Sequence, residues 1–385
     1  MDEAIAGALP RVLIVSHDYA EAGLRRQVEA FARLLDVRFV TPRRAEVLVF
    51  PDHLTESDRL TRTYRRLSLF GHQYLMASPS LGMREHRPQV VYATYDPWSA
   101  VFWQVAAAAA AFAPRALLVS GVKKNTYRRY PAARGRVKDA IARGGIARAD
   151  HFIAASEMTA RLYRRAHGVA AADISVATRV GVDLDVFRPS DGRVRREPPI
   201  VVGYCGRLAE HKGVLDLVDA VAAARASGAG VELELLGAGD LREALAARAR
   251  ASPWLRVRDA VPSDEVAGFM RGLDLYVLPA RVLPDHEEHD AHALLQALAS
   301  GLPAIGTVSG IIPEVLDDPE DVLVRPGDPD ALAAAIAALA ADPERRERLA
   351  ARGRRAAEQR YSLERVAARH RAVFDRLLAD RAAAD

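Results

Sequence analysis

The chain carries one cysteine in 385 residues. It can form no internal disulfide, and a cysteine-based metal site is excluded with it. The single thiol, Cys205, lies inside an apolar run and reads as packing, a usage that fits a reducing cytoplasm. Long hydrophobic runs are missing as well. The alanine-rich stretch 106–113 is too short to span a bilayer and reads as a helix. No secretory leader is read ahead of the first strand-like run, RVLIVS, which follows the small acidic lead MDEAIAGALP. These features predict a soluble, cytoplasmic protein. Aromatic residues make up only 6% of the chain, and none alternate with the basic clusters as stacking platforms, so nucleic acid is not an expected partner. No repeat of solenoid period is present.

Half of the residues are hydrophobic, and the length suits two domains of ordinary size. Net charge is +4 but unevenly spread. Residues 1–190 hold 28 Lys+Arg against 18 Asp+Glu, and the remainder holds 26 against 32. A basic first half is compatible with peripheral contact to anionic lipid at the inner membrane face, with an anionic acceptor, or with no partner at all.

Short apolar runs alternate with helical patterns along the chain. RVLIVS, VRFVTP, QVVYAT, RALLVS, HFIAAS and DISVAT read as strands, with EAGLRRQVEAFARLL and RGRVKDAIARGGIARA among the helices between them. The polar stretch RPSDGRVRREPP (188–199) reads as a linker. PIVVGYCG, VELELLG, LRVRDAV, LDLYVLP, LPAIGT and DVLVRP then restart the series. Two α/β domains with mostly parallel sheets are predicted, and their ligands are expected at the carboxyl ends of the strands.

The segment VVGYCGRLAEHKG (201–213) places Arg207 and Lys212 on a strand-to-helix turn. A guanidinium fork, a mobile ammonium and a helix N-terminus together suit a diphosphate; a basic loop in any α/β domain reads the same way. GAGDLREAL (237–245) is a degenerate dinucleotide fingerprint, since Arg242 replaces the third glycine. It is better read as a tight turn with its amides facing the cleft. The loop after LDLYVLP carries Asp285, His286, Glu287, Glu288, His289, Asp290 and His292. Its histidines lack an HExxH arrangement, and carboxylates are favoured at a helix N-terminus in any case, so no metal is expected there.

Taken in order, these segments resemble glycosyltransferase family 4. GRLAEHKG is similar to its G-R-L-x-x-x-K-G pattern. EHDAHALLQ, from Glu288 to Gln296, falls at its E-x7-E motif, and ALASGLPAIGT follows as in the family. ADHFIAASEMTARL, VGVDLDVFRP, SGIIPEV and YSLERVAARHRAVFDRLL resemble further family segments. The match is specific over 149–378 and architectural before that.

The resemblance implies an α/β GT-B fold, two Rossmann-like domains facing an interdomain cleft, and a retaining transferase that moves a sugar from a nucleotide-sugar donor. It implies an acceptor-binding domain over 1–190, a donor-binding domain over 191–360 and a terminal helix over 361–385 that crosses back to the first domain. Arg207 and Lys212 would hold the donor diphosphate, and Glu288 the donor sugar. Amides of Ala291, His292 and Ala293 would meet the phosphates, Gln296 the ribose, and the base would lie near Val261. No cofactor or metal is implied. The acceptor, a sugar, lipid or small molecule, would meet strand ends bearing His17, Asp18, Asp96, Lys123, Lys124 and Asn125.

Three departures stand out. Gln296 replaces the second glutamate of the motif, His289-Asp290-Ala291 replaces Gly-Phe-Gly, and HDYAEAGLRR lacks a Gly-Gly turn. SGVKKNT also lacks the histidine that some members carry after the fourth strand. A degenerate GT-B protein that binds another transferase therefore stands as an alternative, with a GT-B sugar-nucleotide epimerase behind it.

Overall fold

The computed structural model describes residues 9–18, 24–43, 60–69, 73–124, 132–179, 181–190, 197–289 and 291–384. The chain divides into two compact units, 1–180 with 363–385, and 181–362.

The strands of the first unit are β1 (Arg11–Val15), β2 (Asp36–Pro42), β3 (Thr61–Tyr64), β4 (Arg66–Ser68), β5 (Tyr74–Met76), β6 (Val90–Ala93), β7 (Leu117–Val122), β8 (His151–Ala154) and β9 (Ile174–Val176). Its helices are α1 (Arg25–Ala32), α2 (Met83–His86), α3 (Ala100–Phe112), α4 (Ala132–Ile146) and α5 (Glu157–His167). Seven strands form one sheet in the order β3-β2-β1-β6-β7-β8-β9, and β4 pairs with β5 apart from it. Every pairing in the seven-stranded sheet is parallel. β1, β6 and β7 are apolar almost throughout because a parallel sheet is covered on both faces.

The second unit holds β10 (Ile200–Cys205), β11 (Val231–Leu236), β12 (Leu255–Arg258), β13 (Leu275–Leu278), β14 (Ala304–Thr307) and β15 (Val322–Val324). Its helices are α6 (Val214–Ala226), α7 (Arg242–Arg250), α8 (Ser263–Arg271), α9 (His292–Ala299), α10 (Ile312–Val315), α11 (Pro329–Ala341) and α12 (Pro343–Ala356). The sheet order is β12-β11-β10-β13-β14-β15, again wholly parallel. Both sheets run outward from their first strand and then reverse. This is the doubly wound pattern, whose switch points lie between β1 and β6 and between β10 and β13.

All twelve strands read from the sequence are present. β3, β4 and β5 were not read: TRTY, RLS and YLM are short, and Arg and Thr obscure any alternation. The boundary expected at 190/191 falls instead at 180/181. Val182 and Phe187 are buried in the core of the second unit, and Arg354 Nη1 donates to the Phe187 carbonyl at 2.9 Å. Residues 191–196 of the expected linker lie outside the described residues.

The last helix, α13 (Leu363–Ala384), packs on the first unit. His370 is fully buried among Phe31, Tyr92 and Phe374. Its Nδ1 donates to the Val366 carbonyl at 2.9 Å, and Tyr92 Oη lies 3.4 Å from Nε2. Burial lowers the imidazole pKa to about 4. The folded pKa lies below the ordinary value of 6.5, so the neutral ring contributes stability that is fully present above pH 6.5 and is lost as pH falls toward 4. The amount is on the order of 3 kcal/mol. His370→Leu is expected to flatten the acid limb of urea-midpoint against pH between 7 and 4.5. Identical slopes in variant and wild type would refute this assignment.

Candidate functional site

At the second switch point the end of β10 is built on two buried phenols. Tyr204 Oη donates to the Arg207 carbonyl at 2.8 Å, and Tyr276 Oη to the Cys205 carbonyl at 3.4 Å. Burial raises both phenol pKa values well above the usual range and pushes the Cys205 thiol up to about 12. That leaves the thiol inert packing, as read from the sequence. Arg207 itself is exposed, and its guanidinium forms no salt bridge among the described residues.

The GAG turn also serves backbone packing. A Cβ at Gly237 would stand 1.8 Å from the Gly206 carbonyl oxygen, and one at Gly239 2.4 Å from that of Leu208. The Gly237 amide is spent on the Arg258 carbonyl at 3.2 Å, while Leu208 N–H donates to the Ala238 carbonyl at 2.8 Å. The glycines therefore let one backbone pack against another and brace the Arg207 turn; the Gly237 amide does not face a ligand.

Lys212 and Glu288 come together. Nζ lies 2.6 Å from Oε2, with the lysine side chain 17% exposed and the glutamate 0%. Glu288 is completely buried although its loop is rich in charged residues. Its amide donates to Ser309 Oγ at 3.3 Å, and its carbonyl accepts from Ile311 N–H at 2.9 Å. On the Lys212 side, Gly213 has φ +67, and a Cβ there would lie 1.9 Å from the Pro279 carbonyl oxygen. Arg281 forks onto Asp216, and its amide donates to the His211 carbonyl at 2.9 Å. The two loops are thus tied by backbone as well as charge.

Three histidines flank the pair. The His211 and His286 ring centroids are 4.3 Å apart, and those of His286 and His289 5.4 Å. Burial, with help from His286, lowers His211 to about 4, and burial lowers His286 as well, so both rings are neutral at pH 7. Among the described residues no group of three or more His, Cys, Asp or Glu could hold a metal ion.

Ala291 is the N-cap of α9, and among the described residues no side chain caps it. The first amides of the helix, with His292 and Ala293 half-buried, have no intrahelical acceptor. Gln296 is buried at 7% exposure and is no exposed helix residue. Val261 is half-buried, packs on the core, and follows β12, two strands from β10. Asp290 lies outside the described residues.

At the first switch point, β1 ends in Ser16-His17-Asp18 and β6 in Thr94-Tyr95-Asp96. Thr94 Oγ1 donates to Ser16 Oγ at 2.6 Å, and Ser16 Oγ to Asp18 Oδ2 at 3.0 Å. Arg179 forms an ion pair with Asp18, and His17 Nε2 lies 3.4 Å from Asp18 Oδ1. Burial opposes the Asp18 charge, but Arg179, His17 and Lys123 outweigh it and hold the carboxyl well below its usual range. Burial lowers His17 and raises Asp96, although Lys124 and Lys123 oppose the Asp96 shift. Tyr163 Oη donates to Asp96 Oδ1 at 3.4 Å. Lys124 Nζ stands 5.4 Å above the Trp98 ring. Five sequence candidates, His17, Asp18, Asp96, Lys123 and Lys124, therefore share one electrostatic cluster. Asn125 lies outside the described residues. Arg179 was missed, although it directly follows the strand-like run DISVAT and strand ends were the signal in use.

The burial of Glu288 sets an expectation for Lys212. Removing one partner of a buried pair leaves an uncompensated charge and costs about 3 kcal/mol or more, whereas neutralising both recovers much of it. Lys212→Ala should therefore lower the urea midpoint clearly, Arg207→Ala should leave it near wild type, and Lys212→Met/Glu288→Gln should fall between. Equal stability of the two alanine variants would show that the pair contributes little.

Two family models match in succession, the glycosyl transferase 4-like domain over residues 20–178 and glycosyl transferases group 1 over 199–342. The MMP alpha-(1->4)-mannosyltransferase of Mycolicibacterium hassiacum is 30% identical over 205 residues, covering 52% of this chain and 48% of that protein. The D-inositol 3-phosphate glycosyltransferase of Xylanimonas cellulosilytica is 32% identical over 244 residues, covering 58% and 56%. The chain thus spans about half the length of the curated relatives it matches. The crystal structure of Anabaena HepE in complex with UDP superposes with a TM-score of 0.71 at 18% identity, covering 95% of this chain and 99% of that one, which is a likeness of fold. Among the described residues no helix is long and apolar enough to cross a membrane. With GT-B architecture and successive matches to both of its domains, the chain belongs to the group 1 glycosyltransferases.

Proposed function

We propose that the protein is a retaining glycosyltransferase that takes a nucleotide-sugar donor at the second unit and a sugar, lipid or small-molecule acceptor at the first. The observation that carries the reading is the arrangement at the β10/β13 switch point: an exposed Arg207, an oriented Lys212 and the N-terminus of α9. The family membership supports it, and so do the named activities of the relatives and the UDP held by HepE. Those relatives are named as transferases, which favours transfer over the degenerate-partner and epimerase readings.

In this proposal Arg207 forks onto the diphosphate. Lys212 gives one N–H to Glu288 Oε2 and keeps two for phosphate oxygens. Glu288 thereby fixes the ammonium, and its carboxylate is proposed to meet a donor-sugar hydroxyl. The amides of Ala291, His292 and Ala293 and the α9 dipole add positive potential. Charge on the leaving nucleotide grows in the transition state, so these groups lower the barrier without a metal. The acceptor is proposed to meet His17, Asp18, Asp96, Lys123, Lys124 and Asn125. The proposed setting is the cytoplasm, with the basic first half available to an anionic membrane face.

Incubation with a panel of nucleotide-sugars should identify the donor through nucleoside diphosphate release, unaffected by EDTA. Arg207→Ala should cut kcat/KM by two orders of magnitude or more, the kinetic equivalent of about 3 kcal/mol. Near-normal kcat/KM in that variant would remove the diphosphate assignment, and EDTA inhibition reversed by magnesium or manganese would remove the metal-free mechanism.

Gln296 generates a separate expectation. A carboxylate can accept from both ribose hydroxyls, whereas a carboxamide has one acceptor oxygen and suits a single hydroxyl. Gln296→Glu should therefore shift preference from a dTDP-sugar toward the matched UDP-sugar several-fold, as about 1 kcal/mol would give. An unchanged ratio in direct competition would leave Gln296 as a tolerated replacement.

A further inference from the structure

The first unit contains a cavity that the proposed transfer does not use. Its volume is about 150 Å³, roughly ten times the space that a single water needs and below the usual size of a drug-like site. It lies over the β1-β2-β3 edge of the sheet, beneath α2. Leu13 and Val40, both 1% exposed, form an apolar floor that belongs to the core. Arg38 of β2 and Arg62 of β3 line it, with Glu85 and His86 of α2. Parallel register sets Val40 beside Arg62 and Leu13 beside Arg38, so adjacent strands bring the two arginines to one place.

The charges in the lining are unbalanced. Among the described lining residues two guanidinium groups face the one carboxylate of Glu85, with Asp36 near enough to act on His86 and Arg38 Nη1 donating to the Val37 carbonyl at 3.0 Å; the Arg62–Glu85 pair is 3.6 Å apart with both side chains about half exposed. Such a pair is worth little and is readily exchanged for a better partner. His86 Nε2 donates to the Val12 carbonyl at 3.1 Å, and burial lowers the ring's pKa. It serves as a neutral wall. Leu81 and Arg87, with φ of +47 and +49, bracket α2 in the left-handed region, a conformation that L residues other than glycine disfavour. The wall is thus held in place against local preference.

We propose that this cavity is a second ligand site, separate from the strand ends of the same unit, which binds one compact anion, a phosphate or a small carboxylate, through Arg38 and Arg62. Planar guanidinium groups match both oxyanions, and the apolar floor shields the contact. Glu85 works against the ligand by competing for Arg62.

The test is calorimetric titration of the full-length chain with inorganic phosphate, and in a parallel arm with malonate, at constant ionic strength set by sodium chloride. Arg207→Ala serves as the parent, so that an anion bound at the proposed donor site is not counted. Arg38→Ala and Arg62→Ala are each expected to weaken binding at least tenfold, and Glu85→Gln to tighten it. The opposite sign for Glu85→Gln guards against a general loss of folding, and the arm that responds identifies the anion. Absence of binding in both arms, or affinities unchanged by both arginine substitutions, would overturn the site. Either result leaves the transferase reading untouched, because no residue of that machinery is varied between parent and test.

Discussion

The parallel pairing of β10 with β13 is the constraint on which the second unit's chemistry rests. It puts the loops after both strands side by side, and so joins Lys212 to Glu288 across 76 residues of sequence. Burying a carboxylate completely is costly unless it is paired and hydrogen-bonded. Here the Lys212 ammonium meets the charge, while Ser309 and Ile311 hold the backbone of Glu288 in place. The pair in turn requires close approach of the two chains. Gly213 supplies it: any side chain there would strike the Pro279 carbonyl. Glycine at 213, lysine at 212 and glutamate at 288 are therefore one structural statement, and changing any of them disturbs the others.

Much of this was legible before the structure. Parallel strands covered on both faces read as continuous apolar runs, which is why twelve strands and the two-domain pattern stood out. β3 and β4 stayed hidden because strands of three or four residues carrying Arg and Thr give no period to read, and β5 because three residues are too few. Arg207 and Lys212 were visible because a strand-turn-helix with two cations is a local pattern. The commitment of Lys212 to Glu288 was not visible, since only the tertiary fold brings them together. The loop around Glu288 is rich in charge, a composition that does not reveal which of its carboxylates is buried; the fold buries Glu288. The domain boundary was misread for a related reason: the polar linker dominates local composition, whereas Val182 and Phe187 ahead of it are captured by the second core.

The two switch points obey the same topology but differ in how their charges are settled. At the first, Asp18 is met by Arg179, His17 and Lys123, and the hydroxyls of Ser16 and Thr94 extend the network. Such a cluster is largely compensated within itself. It defines shape and hydrogen-bonding direction, properties suited to selecting a polar group without attracting it from afar. At the second, one cation is consumed by the buried glutamate while Arg207 remains exposed on a turn braced by glycine contacts and a buried phenol. A charge left uncompensated on a rigid support gains most when an anion arrives, because little must be broken or reorganised first. The fold thus separates positioning from attraction: Lys212 is placed by its partner, and Arg207 stays available because it has none among the described residues.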